Sequence, residues 1–505
     1  DDLEYDKETG IDEANATAEQ IMEYLMGKDN FGISSKYDGD LAYRIVVVRY
    51  AMLGNRFARY KEVKIATDVS DKTVAYVNEH MDTLSGISVN EDMIRKYNYS
   101  EYFSSIIGYT GPISESEYTA LHKKNKDYTQ NDTVGKAGLE QYYETYLRGK
   151  NGEQKFYIDN VGRISEIISS TDSVAGDDLY LSIDADLQKA TYLALQNEIA
   201  AIVYSNIKSG EIPINDVYTA LIGNSVINTE HFSKSKASDT EKSVLSVFKS
   251  RQKTTLGKIK QELTSSPEAL NTMSDEVLDE FTYIISMLKD DQVLLKNEID
   301  TSDSVYQKWK DQKISPKEYL NYCITQHWID ISQLNVDEKY ADSTEVYDAL
   351  CKYILKNIKT DTEFSKIIYQ YMITRGEISP RQLCLILFDQ GVLDYDDATV
   401  NKLKNGSLSP RDFLMKKIYN IEITPAQLAL EPCTGSCVVT DEKTGEIRAM
   451  VSYPGYDSNK LANGVDSEYF ASLQHDKSSP LLNYATQQKT APGSTFKLVS
   501  ATAGL

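Results

Sequence analysis

The sequence predicts a multidomain α+β protein, and three observations carry that prediction. Residues 1 to about 180 alternate between helical and strand-like spacing, and about 225 residues, roughly 205 to 430, are mostly helical in pattern. Gly435 to Val451 has the alternation and central turn of a β-hairpin. At 505 residues, 26% charged and 41% hydrophobic, the chain is long enough for roughly three domains with real cores. Its formal charge of −22 argues against nucleic acid or an anionic membrane surface as the main partner.

From the N-terminus, Thr17 to Met26 is a short helical pattern and Ala42 to Leu53 a second apolar segment. Within the latter, Ile45-Val46-Val47-Val48 is bounded by Arg44 and Arg49. It reads as a buried strand or helix, far short of the ~20 residues of a membrane span. Val63 to Val69 alternates like a strand closed by Ser70-Asp71, after which Thr73 to Met81 returns to helical spacing. Gly108, Gly111, Gly135 and Gly138 are turn and close-approach positions, and Leu139 to Leu147 is a short helix ending at Gly149. A nucleotide site at Gly135-Lys136 is not supported, because the phosphate-loop spacing and its Lys-Ser/Thr ending are missing. Leu179 to Asp184 alternates as a strand, and Asp184 and Asp186 can cap a helix over Leu187 to Ala200.

The long block that follows carries a continuous apolar stripe, Val277, Phe281, Ile284 and Leu288 with Leu278 and Ile285 beside it. Three helix starts share one grammar: Ile314-Ser315-Pro316, Ile378-Ser379-Pro380 and Leu408-Ser409-Pro410. In each, serine can cap, proline takes the first helical position and an apolar residue precedes the cap. Their spacing is unequal, so they are shared start signals and not a solenoid repeat. Trp309, Tyr319, Trp328 and Tyr353 are read as core anchors. We expect an inserted helical subdomain that contacts a partner.

Beyond it, Gly435 to Thr440 and Glu446 to Val451 pair across the turn Asp441-Glu442-Lys443-Thr444-Gly445, and Tyr453 to Asn459 leaves the sheet. The stretch that the rest serves is Ala491-Pro492-Gly493-Ser494-Thr495-Phe496-Lys497. Pro-Gly cannot sit inside a helix, so a helix begins near Ser494, and Lys497 lies one turn on over the same face. A serine hydroxyl is a poor nucleophile until a base takes its proton, and lysine serves as that base when burial or a positive neighbour keeps it neutral. The helix start adds free N–H groups that favour an oxyanion beside the serine. The same Ser-x-x-Lys spacing at Ser205/Lys208, Ser233/Lys236, Ser246/Lys249 and Ser286/Lys289 shows how weak spacing is alone. The last three of these lack a Pro-Gly elbow and read as solvated helix faces.

With Asn483-Tyr484-Ala485-Thr486-Gln487-Gln488 ahead of it, the stretch Ala491 to Lys497 resembles the penicillin-binding proteins, whose Ser-x-x-Lys motif it matches. Tyr484 stands where that family often has arginine. Ile107 to Gly111, then Gly135 to Glu140 with Glu144 and Leu147 to Gly152, resemble the N-terminal pedestal of the monofunctional (class B) members, and Leu179 to Ala200 the lead into their transpeptidase domain. The resemblance covers roughly residues 40 to 204 and 424 to 505. It implies a pedestal (dimerisation-type) domain at 1–180, the start of a β-lactamase/transpeptidase-like domain at 181–204 and 424–505, and the helical insertion at 205–423. The family's Ser-x-Asn and Lys-Thr-Gly motifs do not follow within these residues, so the 505-residue piece is expected to be inactive by itself.

By the same resemblance, Ser494 is the nucleophile and Lys497 its base in a peptidoglycan D,D-transpeptidase. Stem peptides ending in D-Ala-D-Ala and β-lactams are its ligands. A glycosyltransferase of the SEDS type and other divisome or elongation proteins are the implied partners. A single-pass anchor upstream of Asp1 would hold the catalytic region outside the cytoplasmic membrane. No cofactor or metal is expected: the five histidines are scattered, and the five cysteines read as core thiols, with a Cys433–Cys437 disulfide as the alternative that their closeness allows. The alternatives are a non-catalytic scaffold or β-lactam sensor of the same fold, and a Ser-His-Asp hydrolase. The latter lacks a Gly-x-Ser-x-Gly elbow and a histidine placed for Ser494.

Overall fold

A computed structural model describes residues 16–34, 36–37, 39–54, 63–80, 83–84, 86–89, 94–158, 164–265, 268–334, 336 and 342–505. The early helices are α1 (Ala18–Met26), α2 (Gly39–Gly54), α3 (Asp71–Glu79), α4 (Ser100–Ile107), α5 (Glu115–Lys124), α6 (Gly138–Tyr142) and α7 (Glu144–Leu147). Strands β1 (Glu153–Ile158) and β2 (Ile164–Thr171) follow, and then the long α8 (Ala185–Ser209). The chain forms two compact units, residues 1–96, 112–134 and 143–179 in the first, and 97–111, 135–142 and 180–505 in the second.

In the first unit, Thr17 caps α1 through a reciprocal pair with Gln20, and Leu25, Ile33, Ala42 and Val46 form a small core between α1 and α2. The Ile45 to Val48 run is therefore helical, but of its four residues only Val46 is buried and Val47 is 48% exposed, because a helix pair covers one face of α2 alone. The strand expected over Val63 to Val69 is absent: Ile65 and Val69 are exposed, and Asp68 sits at φ 53. Alternation without a partner sheet to cover one face does not make a strand. Helix α3 begins one residue after its Ser70 cap, and Met81 lies outside the described residues. The antiparallel pair β1–β2 carried no alternating signal and was not expected.

Glu144 at the start of α7 and Arg148 just past its end are bound into one small network. Tyr128, 2% exposed, donates its hydroxyl to Glu144 at 3.2 Å. The Arg148 guanidinium lies 3.9 Å over the Tyr128 ring and binds Asp132 at 2.5 Å. The single helix expected over Leu139 to Leu147 is two, parted at Tyr143, whose backbone (φ −103, ψ 19) leaves helical geometry.

In the second unit, Gly108 and Gly138 meet back to back. A Cβ on Gly108 would fall 2.0 Å from the Ala137 carbonyl oxygen, and both residues have positive φ (80 and 60). Asp184 caps α8, accepting the Leu187 N–H at 2.9 Å, and Gly210 at φ 88 closes it. The block expected to be helical is so: α9 (Ile214–Gly223), α10 (Asp239–Thr264), α11 (Asp275–Asp290), α12 (Ser304–Lys310), α13 (Pro316–Thr325), α14 (Ser343–Thr360), α15 (Thr362–Thr374), α16 (Pro380–Asp389), α17 (Asp397–Lys404), α18 (Pro410–Tyr419) and α19 (Pro425–Leu428). Ser315, Ser379 and Ser409 each cap as expected, with proline at the first helical position. Tyr319 and Trp328 are buried, and Trp309 stacks on Tyr319 at 4.5 Å.

Strands β3 (Gly435–Thr440) and β4 (Ile447–Tyr453) form the expected antiparallel hairpin, followed by α20 (Ser467–His475) and α21 (Phe496–Ala503). One core runs through this unit, joining Tyr192, Ile199 and Val203 of α8 and Val451 and Tyr453 of β4 to the insertion helices. Among the described residues, no helix is long and apolar enough to cross a membrane.

Candidate active site

The path to Ser494 begins at the hairpin. Asp441 accepts the N–H groups of Lys443 and Thr444 at 2.8 and 3.0 Å, fixing the turn, and Gly445 takes φ 76. Ala449, Val451 and Tyr453 alternate into the core against α8. Along the edge of β4 that β3 does not pair, the fully buried Gln188 of α8 replaces a strand neighbour: its carbonyl oxygen accepts the Met450 N–H at 2.8 Å, and its amide donates to Met450 O at 2.9 Å and Tyr102 O at 2.8 Å.

The strand expected over Leu179 to Asp184 does not form. Tyr180 is 90% exposed and its apolar neighbours face solvent, so no covered face rewards a ladder. Two of its groups nonetheless lie along β4, the Ser182 hydroxyl on Ile447 O at 2.8 Å and the Asp184 N–H on Arg448 O at 2.9 Å.

After β4 the chain leaves the sheet, as expected, and runs along α4. Tyr456, 5% exposed, is bonded twice to Ser104: its N–H reaches Ser104 Oγ and its hydroxyl Ser104 O, both at 3.1 Å. Asn459 brackets Tyr97, accepting its N–H at 2.8 Å and donating to its carbonyl at 3.0 Å. Burial pushes the Tyr456 phenol well above its usual range, so it stays a neutral donor.

Leu482 to Gln487 form the last fastened segment. Ser452 Oγ, on β4, donates to Leu482 O and accepts the Tyr484 N–H at 2.9 Å, and Asn483 donates to Ser105 O at 2.9 Å. From Thr486 onward every residue is exposed. Pro492 and Gly493 (φ 55) make the elbow, Gly493–Thr495 is a single 3₁₀ turn containing Ser494, and α21 starts at Phe496. Helical structure thus begins one residue before the serine, with a tighter first turn than an α-helix.

Ser494 and Lys497 are placed three residues apart across this junction, both exposed. Phe496, Leu498 and Val499 are also exposed, at 53%, 77% and 56%. No described residue covers the pair, so the burial that chemistry of this kind needs is not supplied by these residues. His475 gives its Nδ1 to the Ala471 carbonyl at 2.8 Å. All five cysteines are free, Cys433 buried and Cys437 partly so. Among the described residues no group of three His, Cys, Asp or Glu side chains is placed to hold a metal.

In the sequence Asn483 figures only as part of a resemblance, and the ties made by Ser452, Asn483 and Gln188 were not read from it. Their partners are 30 to 378 residues away along the chain, and only the polar residue within an otherwise alternating strand, Ser452, left a trace.

A family profile described as the penicillin-binding protein dimerisation domain matches residues 2–181, and one described as the penicillin-binding protein transpeptidase domain matches residues 435–505. The peptidoglycan D,D-transpeptidase MrdA of Salmonella typhimurium is 29% identical over 157 residues, 31% of this chain and 25% of that protein. Penicillin-binding protein 2A of Bacillus subtilis is 35% identical over 136 residues, 26% of this chain and 19% of that protein. The chain thus matches a quarter or less of the length of these curated relatives. A solved structure of penicillin-binding protein 2B of Streptococcus pneumoniae aligns over 42% of this chain and 39% of that one, at 22% identity and a TM-score of 0.21, too low to carry an argument.

Proposed function

We propose, from the premise that the chain belongs to the penicillin-binding proteins with a dimerisation domain and a transpeptidase domain, that it serves peptidoglycan cross-linking as a D,D-transpeptidase. The reaction runs through a serine acyl-enzyme. Ser494 Oγ attacks the carbonyl of the penultimate D-alanine of a stem peptide while Lys497 takes its proton. The C–N bond breaks and D-alanine leaves with that proton. An amine on a neighbouring strand then attacks the ester, a new amide C–N bond forms as the C–O bond to Ser494 breaks, and the amine's proton returns to the serine oxygen. One hard amide exchange becomes two easier steps. β-Lactams acylate the same oxygen.

The observation that carries this reading is the Pro492-Gly493 elbow placing Ser494 at a helix start, with Lys497 one turn on, inside the transpeptidase match. We assign 1–180 to the pedestal, 181–204 with 424–505 to the transpeptidase domain, and 205–423 to an inserted helical subdomain. We further propose, by analogy with the family, that the catalytic region works outside the cytoplasmic membrane on a single-pass anchor, beside a SEDS-type glycosyltransferase and other divisome or elongation proteins.

Fluorescent-penicillin labelling of the complete gene product beside its Ser494→Ala variant tests the reading. Label is expected on the wild type and absent from the variant; equal labelling of both would refute Ser494. Residues 1–505 taken alone should label at under a tenth of the complete product's rate, because Ser494 and Lys497 stand uncovered. Efficient labelling of that piece would mean the pair needs no further wall.

A further inference from the structure

We propose that Asn483 is a positioning residue for Ser494, holding the approach to the nucleophile against α4; this rests on the serine reading above. From Thr486 to the end, every residue is exposed, and the hydrogen bonds made from Gln488 onward are local ones, such as Thr495 to Pro492 and Ser500 to Phe496. Among the described residues, the place of Ser494 is therefore set by whatever fastens Leu482 to Gln487.

Two devices do so. Ser452, 3% exposed, ties this segment to β4 through Leu482 O and Tyr484 N. Asn483 does more: its Nδ2 donates to Ser105 O at 2.9 Å while its Oδ1 accepts the Ala485 N–H at 3.1 Å. Its backbone closes the same turn, the carbonyl accepting from Gln487 N at 2.8 Å and the N–H donating to Gln487 Oε1 at 3.0 Å. One side chain thus couples the turn's internal geometry to an outside reference.

That reference is stiff. A Cβ on Gly455 would fall 1.9 Å from the Glu101 carbonyl oxygen, so α4 and the chain leaving β4 are in backbone contact. Gln188 pins Tyr102 O, and the Tyr192 hydroxyl binds Glu101 at 3.1 Å. Helix α4 belongs to the stretch matched by the dimerisation domain, whereas Asn483 belongs to the transpeptidase match. Through one amide, the two matched segments share control of where the serine stands. A nucleophile displaced by about an ångström loses on the order of a hundredfold in rate without losing substrate contacts made elsewhere.

The test uses the complete gene product. Asn483→Asp keeps the acceptor for Ala485 N–H and removes the donor to Ser105; Asn483→Gln restores an amide on a longer arm; Ser452→Ala removes the second tie. Penicillin acylation is resolved into the binding constant and the first-order acylation rate, with thermal unfolding measured alongside. The expected result is a tenfold or greater fall in the acylation rate for Asn483→Asp, binding within twofold, an unfolding midpoint near wild type, and partial recovery in Asn483→Gln. Acylation at the wild-type rate by Asn483→Asp would overturn the inference. So would a loss of rate that tracks loss of folding across all three variants, since the residue would then be merely structural. Label taken up equally by wild type and Ser494→Ala, or by neither, would instead overturn the serine reading and this inference with it.

Discussion

Glu276 and Glu280 stand one turn apart on α11, 3% and 1% exposed, and their surroundings make opposite demands. Glu276 is gripped by Arg251 at 2.9 and 3.0 Å and by Arg375 at 2.6 Å. Removing it leaves the largely buried Arg251 with only Glu377, at 3.5 Å, while Arg375, 39% exposed, turns to solvent, so Glu276→Ala should cost about 3 kcal/mol in urea unfolding. Glu280 is pushed from 4.5 up to about 8, first by burial and then by Glu276, with Asp279 adding to the rise and Lys258 and Arg251 opposing it. The native state thus holds a proton that the unfolded chain releases. The stability this contributes is full below about 4.5 and is lost as pH rises through about 8. Glu280→Gln should flatten that decline and gain about 1–3 kcal/mol over wild type at pH 8.5. A wild-type unfolding midpoint flat between pH 5 and 8 would count against the assignment. The stripe Phe281, Ile284, Leu288 was legible because spacing alone reveals it. The two carboxylates beside it were not, because what makes Glu276 tolerable is Arg251, on another helix, and Arg375, just past the end of a third, and what makes Glu280 tolerable is the proton its burial holds.

At the scale of elements, the insertion repeats one joint. A helix ends on a residue in the left-handed region, one residue intervenes, an apolar side chain drops into the core, and Ser or Thr caps the next helix at a proline. Gln312, Gly376, Gly406 and Ile421 occupy the left-handed position, ahead of Ile314, Ile378, Leu408 and Ile423. The return bonds are of the Schellman kind, Glu377 N–H to Met372 O and Glu422 N–H to Lys417 O, both at 2.9 Å. Serine and proline made three of these joints legible; the fourth, Thr424-Pro425 with Gln427 completing a capping box, has the same grammar. The left-handed residue could not be read, since only two of the four are glycine. Opposite signs follow. Gly376 has φ 74 and open space where a methyl group would stand, so Gly376→Ala should destabilise by about 1 kcal/mol through backbone strain alone. Gln312→Gly, at φ 60, should stabilise by up to about 1 kcal/mol. Equal effects in chemical denaturation would show that the joints are held by their caps and not by backbone conformation. The two strands wrongly expected, Val63 to Val69 and Leu179 to Asp184, failed for a related reason: period-two alternation specifies a strand only where a sheet exists to cover one face.

Across the whole molecule, the sequence marks residues 205–423 as an insertion, since they interrupt the two stretches that resemble one family. Within the second unit the packing is less separable. Helix α8 starts beside the hairpin, where Gln188 serves Met450, and runs on so that Ile199, Val203 and Ile207, at 4%, 0% and 2% exposure, belong to the core shared with the insertion. Asn224 of the insertion also donates to the Leu428 carbonyl. Joining Ser209 to Thr424 by a short linker would uncover those three side chains, at about 1.5–3 kcal/mol each. Their sum is comparable to the whole stability of an ordinary domain. We therefore expect the deletion of 210–423 to give an aggregating product or one that unfolds without a cooperative transition, read by size-exclusion chromatography and calorimetry. A monomer melting as cooperatively as the intact chain would show that the shared core contributes little. For the same reason, a partner of the insertion is better sought with charge-reversing substitutions on its exposed helix faces, because excision removes the support of α8 together with any binding surface.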